Sequence, residues 1–286
     1  MECSNCKCIQ LMQIPESFSK YYPDNYYSYN GNPENKTIQK SFFKTFKRNL
    51  KAKLLDNYLE GENLIGRLMK TKFNGYYPWI KAKTFKSTSK ILDIGCGSGE
   101  LLLRMYNDGF RNLTGADPFI ARPITYECGI NIYKKQLEEL SGNYDIIMLH
   151  HAFEHLAEPL KVLQSIHNLL AAEGLLIIRI PVADCFAWRR YGTNWVQLDA
   201  PRHIFLHTPK SIEILSRQSG FEIEDIIYDS YYLQFAGSEK YLRDIALTDK
   251  TELFTSDEIN DFNKKSIELN ALRDGDQACF YLRKMN

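Results

Sequence analysis

A chain of 286 residues, 44% hydrophobic and 25% charged, has the composition of a soluble globular protein, and a formal net charge of +1 argues against one built to wrap duplex DNA. No run approaches the roughly 18 to 20 apolar residues of a membrane span, and the opening MECSNCKCIQ has no apolar signal-peptide region, so a cytoplasmic protein is expected. Seven cysteines without an export signal point to reduced thiols or a metal rather than to disulfides.

Residues 1–35, with YYPDNYYSYNGNPEN, show no sustained period and are expected to form an irregular arm. Within it Cys3 and Cys6 of CSNCKC have the C-x-x-C spacing of two zinc thiolates, although no second pair follows. From 36 to 88 apolar residues recur at helical spacing among lysines, which predicts a helical cover ahead of the main domain. Between Lys36 and Lys90 fourteen Lys/Arg face three Asp/Glu, and between Gly220 and Asp276 six face fourteen, so the near-neutral sum conceals a basic flank and an acidic one.

From residue 89 to 286 short apolar runs alternate with helical segments. Strands are predicted near 90–95, 113–117, 130–133, 144–150, 175–180, 222–229 and 277–283, and helices over 99–108, 159–171 and 209–218, the last capped by Thr208 with Pro209 in its first turn. This order predicts an α/β fold, a doubly wound, seven-stranded, mostly parallel sheet with the last strand antiparallel. A lid is expected from about 182 to 207 and a helical insertion from about 237 to 276.

KILDIGCGSGE is an apolar strand running into Gly95, Gly97 and Gly99 and then into a helix. Glycines there let the backbone turn sharply at the carboxyl edge of the sheet, where such folds bind ligands. The spacing is G-x-G-x-G rather than the dinucleotide G-x-G-x-x-G, and Asp93 stands two places before it. A carboxylate there serves a cationic amino-acid moiety better than a pyrophosphate. Asp117, at the end of the second strand, is placed to accept ribose hydroxyls, and Gln136 of KKQLEEL to meet an adenine.

ILDIGCGSG, Asp117, QLEEL, YDIIMLHHAFEHL and LLAAEGLLIIRIP, in this order, together resemble the class I S-adenosylmethionine-dependent methyltransferases over about residues 88–231, with DQACFYLRK as the closing strand. The resemblance implies a Rossmann-like methyltransferase fold with S-adenosylmethionine as cofactor. It implies that Asp93, Gly95 and Gly97, followed by Gly99, hold the methionine end, Asp117 the ribose, and Gln136 with the Leu137 backbone the adenine. His150, at the end of the fourth strand, joins this set. The acid that the family usually carries at Gln136 is absent.

Three of the six histidines crowd into HHAFEHL, and CFAWRRYGTNWVQLDAPRHIFLHTPKS returns more polar and aromatic residues to the same edge. Methyl transfer needs the acceptor placed and, for a hydroxyl, its proton removed. His155, His203, Glu154 and Asp199 are the candidate catalytic residues, and His151, Trp195, Arg202 and His207 the candidate substrate residues. Three readings stay open for the histidines: a general base among them, a divalent metal held by Glu154, His155, His203 and His207, or strand and helix ends merely capped. The E-H pair with a distant R-H-x-x-x-H resembles the metal site of small-RNA terminal 2′-O-methyltransferases, with His151 where those have glutamate. LDAPRHIFLHTPKSIEIL resembles a subgroup associated with saccharide, polysaccharide or lipid-linked substrates, and the cysteine- and tyrosine-rich arm resembles half of a zinc module that precedes some sugar methyltransferases.

The expected activity is therefore methyl transfer from S-adenosylmethionine to oxygen or carbon of a small-molecule, sugar or lipid-linked acceptor. The alternatives are a metal-assisted RNA 2′-O-methyltransferase using the basic flank, and a catalytically silent S-adenosylmethionine-binding partner subunit.

Overall fold

The computed structural model describes residues 1–16, 21, 50–57, 59, 77–80 and 84–285. The tyrosine-rich stretch of the arm and most of the expected helical cover lie outside the described residues. Of that cover, residues 50–57 are helical, with Leu55 buried.

In chain order the strands and α-helices are β1 Ile9–Gln10, β2 Lys90–Ile94, α1 Glu100–Asp108, β3 Asn112–Ala116, β4 Ile124–Thr125, β5 Asn131–Tyr133, β6 Tyr144–His150, α2 Pro159–Leu169, β7 Leu170–Pro181, α3 Phe186–Tyr191, β8 Phe205–Leu206, α4 Pro209–Gln218, β9 Phe221–Tyr228, α5 Leu233–Leu242, α6 Ser256–Ala271 and β10 Gln277–Lys284. They fall into two compact units. One comprises Tyr22–His150, Val162–Ile177 and Leu282–Asn286; the other comprises Met1–Tyr21, His151–Lys161 and Ile178–Tyr281.

The first, the glycine-turn unit, carries the strand order β4-β5-β3-β2-β6-β7. β3 and β6 both pair with β2 in parallel, and β5 pairs in parallel with β3. Ile91 to Ile94 of β2 and Ile146 to Leu149 of β6 are buried without alternation, the pattern of strands covered on both faces. Gly109 ends α1 with φ 126°, and a Cβ there would come within 2.8 Å of the Ala52 backbone, so this turn allows the helical segment 50–57 to approach closely.

In the second, the histidine unit, the order is β7-β10-β9. The Val182 N–H donates to the Asp276 carbonyl and the Asp229 N–H to the Gln277 carbonyl. The start of β10 therefore lies beside the ends of both neighbours, and the last strand runs antiparallel to them. Edge strand β9 exposes Glu222 and Glu224, charges that blunt an open edge. α4 begins at Thr208, whose hydroxyl accepts from the Ser211 N–H at 3.1 Å, with Pro209 in the first turn, where its missing N–H costs nothing.

The architecture is the doubly wound α/β, Rossmann-like one, with four departures from expectation. Among the described residues the main sheet has eight strands rather than seven, because Ile124–Thr125 adds the short antiparallel edge strand β4. β7 begins at Leu170 rather than near 175, since the apolar AAEGLLIIRIP run continues without a loop. The expected insertion at 237–276 begins earlier, with α5 at Leu233. The arm is not irregular throughout, because β1 pairs antiparallel with β8, Ile9 opposite Leu206 and Gln10 opposite Phe205. Among the described residues no helix is long and apolar enough to cross a membrane.

Candidate functional site

In the glycine-turn unit β2 ends in three glycines with left-handed φ, Gly95 at 74°, Gly97 at 54° and Gly99 at 81°. Only glycine takes this succession cheaply, and the turn is also tight, because a Cβ on Gly99 would stand 2.6 Å from Ile132 Cδ1. The Gly97 N–H donates to Asp117 Oδ2 at 2.9 Å and the Phe119 N–H to Oδ1 at 2.8 Å, so the Asp117 carboxylate is fixed at the end of β3 beside the turn. Asp93 and Asp117 are both buried. Burial pushes the Asp93 carboxyl well above its ordinary pKa, and the neighbouring Asp117 adds to the rise. Burial raises Asp117 too, against the backbone N–H groups of Phe119 and Gly97 that favour its charge. Two crowded buried carboxylates are relieved by a cationic ligand and aggravated by an anionic one. Gln136 is exposed ahead of a short 3₁₀ turn, Leu137–Glu139, and its N–H donates to the Glu139 carboxylate at 2.7 Å. The His150 ring sits 4.4 Å from the Trp79 ring at a 55° tilt.

The chain enters the histidine unit at His151, whose φ of 51° turns it sharply off β6. Its N–H donates to the Arg179 carbonyl at 2.9 Å. The Arg179 guanidinium, itself bound to Asp229 at 2.6 Å, lies 3.0 Å from His151 Nε2. A guanidinium can only donate, so Nε2 accepts and the proton of His151 is on Nδ1, 3.6 Å from Glu154 Oε1. That distance is an electrostatic contact rather than a hydrogen bond, and both Glu154 oxygens are buried without a hydrogen-bond partner.

His155 Nδ1 lies 2.8 Å from the Arg202 carbonyl, and His203 Nδ1 lies 2.7 Å from the Gln197 carbonyl. Carbonyls only accept, so both rings carry their proton on Nδ1 and present a lone pair at Nε2. The two rings are 4.9 Å apart, and His203 Nε2 stands 3.9 Å from Glu154 Oε1 and 3.7 Å from Asp199 Oδ2. Among the described residues, Glu154, His155 and His203 form the one group of three such side chains whose ligand atoms all lie within 4.8 Å of one another. Burial pushes the His203 pKa down, with Glu154 opposing. Burial would raise Glu154, yet the facing histidines outweigh it and hold the carboxyl below its ordinary range. Carboxylate and imidazole ligand atoms thus converge, and carbonyl-anchored imidazoles beside a carboxylate are the donor set of a divalent cation.

The other expected residues divide. Asp199, at φ 34°, holds Arg202 through Oδ1 at 2.6 Å, so both stand beside the histidines as an ion pair. His207 is not part of the three-residue group; its Nδ1 lies 3.2 Å from Ser211 Oγ and 4.0 Å from Cys8 Sγ. Trp195, expected at the substrate, is instead fully buried in an apolar cluster with Ala187, Tyr191, Val196 and Phe235, and its Nε1 donates to Asp276 Oδ2 at 3.1 Å. The surface available for a substrate is absent there, so this assignment is corrected. Sequence reasoning missed Arg179 and Asp276. The first had a signal, a lone charge inside the buried run GLLIIRIP; the second, at a strand start, had none.

Residues 71–226 match the family model described as a methyltransferase domain. Among curated relatives, the ubiquinone biosynthesis O-methyltransferase of Pseudomonas aeruginosa is 31% identical over 172 residues, covering 54% of this chain and 73% of that protein. Its counterpart in Pseudomonas syringae pv. tomato is 28% identical over the same shares. Among solved structures, a SAM-dependent methyltransferase from Archaeoglobus fulgidus is 20% identical, with a TM-score of 0.45 over 76% of this chain and 93% of that one.

Proposed function

Because the chain belongs to the methyltransferase-domain family and is an S-adenosylmethionine-dependent methyltransferase, we propose that it methylates a hydroxyl of a small molecule, with Glu154, His155 and His203 forming the acceptor end. The relatives whose names specify O-methylation in ubiquinone biosynthesis support oxygen as the target. The sulfonium cofactor, when bound, supplies both the methyl electrophile and the leaving group. Asp93 would meet its ammonium group, the positive-φ glycines its close approach, Asp117 its ribose, and Gln136 with Leu137 its adenine. What this leaves to the protein is to place the acceptor oxygen and relieve it of a proton.

The observation that carries the proposal is the convergence of a buried carboxylate on two imidazole lone pairs. It favours a divalent cation over a histidine acting alone, because three such side chains bring their ligand atoms within 4.8 Å of one another. Glu154, His155 and His203 would hold the cation, which would acidify a coordinated hydroxyl. Asp199 and Arg202 orient the rim, and His151, locked by Arg179, keeps its Nδ1–H toward Glu154.

Glu154→Gln tests this. Methyl transfer to a dihydroxylated aromatic acceptor is expected to fall on the order of 10²-fold or more, with S-adenosylhomocysteine affinity unchanged by calorimetry. Removal of divalent ions by a chelator should reproduce the loss in the parent protein, and added Mg²⁺ or Zn²⁺ should restore it. Full activity in Glu154→Gln would overturn the reading. Transfer to RNA that weakens steeply with salt would instead favour the basic flank as a binding surface.

A further inference from the structure

Three side chains stand in a row at the carboxyl edge of the glycine-turn unit. Asp93 is in register with Gly115 of β3 on one side and with Met148 of β6 on the other. Paired positions, and positions two residues on, point to the same face of a sheet. Asp117, whose N–H continues the pairing of β3 by donating to the Tyr133 carbonyl, therefore shares a face with Asp93 and His150, and the three stand on successive strands in the order β3-β2-β6. With strands about 4.8 Å apart, His150 is one strand from the carboxylate assigned to the ammonium group and two from the one assigned to the ribose. The sulfonium is separated from that ammonium by a short alkyl chain, so a side chain on the neighbouring strand is within its reach.

His150 does not stand there alone. The Trp79 ring lies 4.4 Å from it, the shortest ring separation in this unit among the described residues. Trp79 is buried and held from behind: Tyr77 meets it edge-on at 5.6 Å and Phe85 at 6.1 Å. Tyr77 is itself tied to the end of α1, where its hydroxyl donates to Asp108 Oδ2 at 2.9 Å, and Phe85 packs on Phe110 at 6.2 Å. The indole is thus fixed, while the half-buried His150 remains accessible at the sheet edge. An aromatic face carries negative potential and attracts a cation within about 6 Å of its centre. A neutral thioether gains nothing comparable.

We infer that Trp79 and His150 form an aromatic wall at the sulfonium end of the cofactor site, which favours the charged cofactor over its neutral product. The inference rests on the assignment of Asp93 and Asp117 to the cofactor, and it does not depend on a cation at Glu154. His150 is the ring nearer the edge; Trp79 completes the wall and sets the tilt of the imidazole. Methyl transfer leaves the electron pair of the broken S–CH3 bond on sulfur and removes the positive charge. The attraction therefore belongs to the ground state, where it retains loaded cofactor and lets the spent one leave.

Calorimetry with S-adenosylmethionine and S-adenosylhomocysteine, each titrated into the full chain without acceptor, tests this. Trp79→Leu should weaken S-adenosylmethionine about tenfold and S-adenosylhomocysteine by no more than about twofold, and His150→Leu should act in the same direction. In turnover both variants should raise KM for S-adenosylmethionine more than they lower kcat. Gly99→Ala should weaken both ligands alike, because it disturbs the turn and not the charge preference. Should Trp79→Leu not fold, increasingly fluorinated tryptophans placed at position 79 drain the π face while keeping the ring; affinity for S-adenosylmethionine should then fall stepwise while that for S-adenosylhomocysteine stays level. Equal loss of both ligands in Trp79→Leu, or a flat fluorination series, would overturn the inference and leave the cofactor assignment intact. Unchanged affinity for both ligands in Gly99→Ala and Asp117→Asn would overturn the assignment, and the inference with it.

Discussion

Arg179 sets the tautomer of His151, the histidine whose Nδ1 faces Glu154. By donating to His151 Nε2 it forces the His151 proton onto Nδ1, and by holding Asp229 it is itself kept in place. Arg179→Met, which removes the donor and keeps the stem, should free His151 to take either tautomer. We expect kcat to fall about tenfold or more with little change in cofactor affinity, measured by steady-state kinetics beside calorimetry. Asp276 is the other single residue with a readable consequence. Burial raises its pKa to about 6, above its ordinary 3.8, with Trp195 and Ser230 opposing. A raised carboxyl means that the folded chain binds the proton more tightly than the unfolded one. Stability is therefore lost as pH climbs from about 4 to about 6 and stays reduced above it, by up to about 3 kcal/mol. Asp276→Asn should be the more stable form at pH 8 in urea unfolding, with the advantage gone below pH 4.

At the scale of elements, the β2 turn allows a sharp test. Gly99→Ala must place a Cβ 2.6 Å from Ile132 Cδ1 at a φ of 81°, and we expect a loss of about 1–3 kcal/mol together with a drop of at least tenfold in S-adenosylhomocysteine affinity. This turn was legible in the sequence because its chemistry is local: strand, glycines, acid and helix occupy eleven consecutive residues, Lys90 to Glu100. α4 was legible for the same reason, with Thr208 and Pro209 marking its start. The acceptor end was legible in its membership but not in its arrangement. His155 and His203 were visible as residue types, while the carbonyls of Arg202 and Gln197 that fix their tautomers leave no trace in the side-chain sequence. Trp195 was misread because an aromatic in a long polar connection looks exposed, whereas α3 and α5 enclose it. Cys8 was visible beside Cys3 and Cys6, but the His207 ring that it meets lies about two hundred residues away, brought near by the β1–β8 pairing.

For the molecule as a whole, the cofactor assignment predicts a ligand-linked rise in stability. S-adenosylhomocysteine at about a hundred times its dissociation constant should add about 2.7 kcal/mol and raise Tm by about 5 °C or more, with NADH giving no shift. The unaltered chain and Glu154→Gln should respond alike, because Glu154 is assigned to the acceptor. Asp117→Asn should respond less, since it loses the carboxylate that the Gly97 and Phe119 N–H groups hold in position. A thermal scan of the three proteins separates the two assignments without any acceptor in hand.

The position of β10 bears on how the chain is made. β7 and β9 leave the ribosome before the strand that belongs between them, and α5 and α6 are synthesised in the interval. Throughout that interval the nascent protein carries two unfilled strand edges, apolar Leu175–Ile178 on one and the half-buried β9 on the other. Direct pairing of β7 with β9 would exclude the eight residues that end the fold. Completion of the sheet thus waits on a strand made after both of its neighbours.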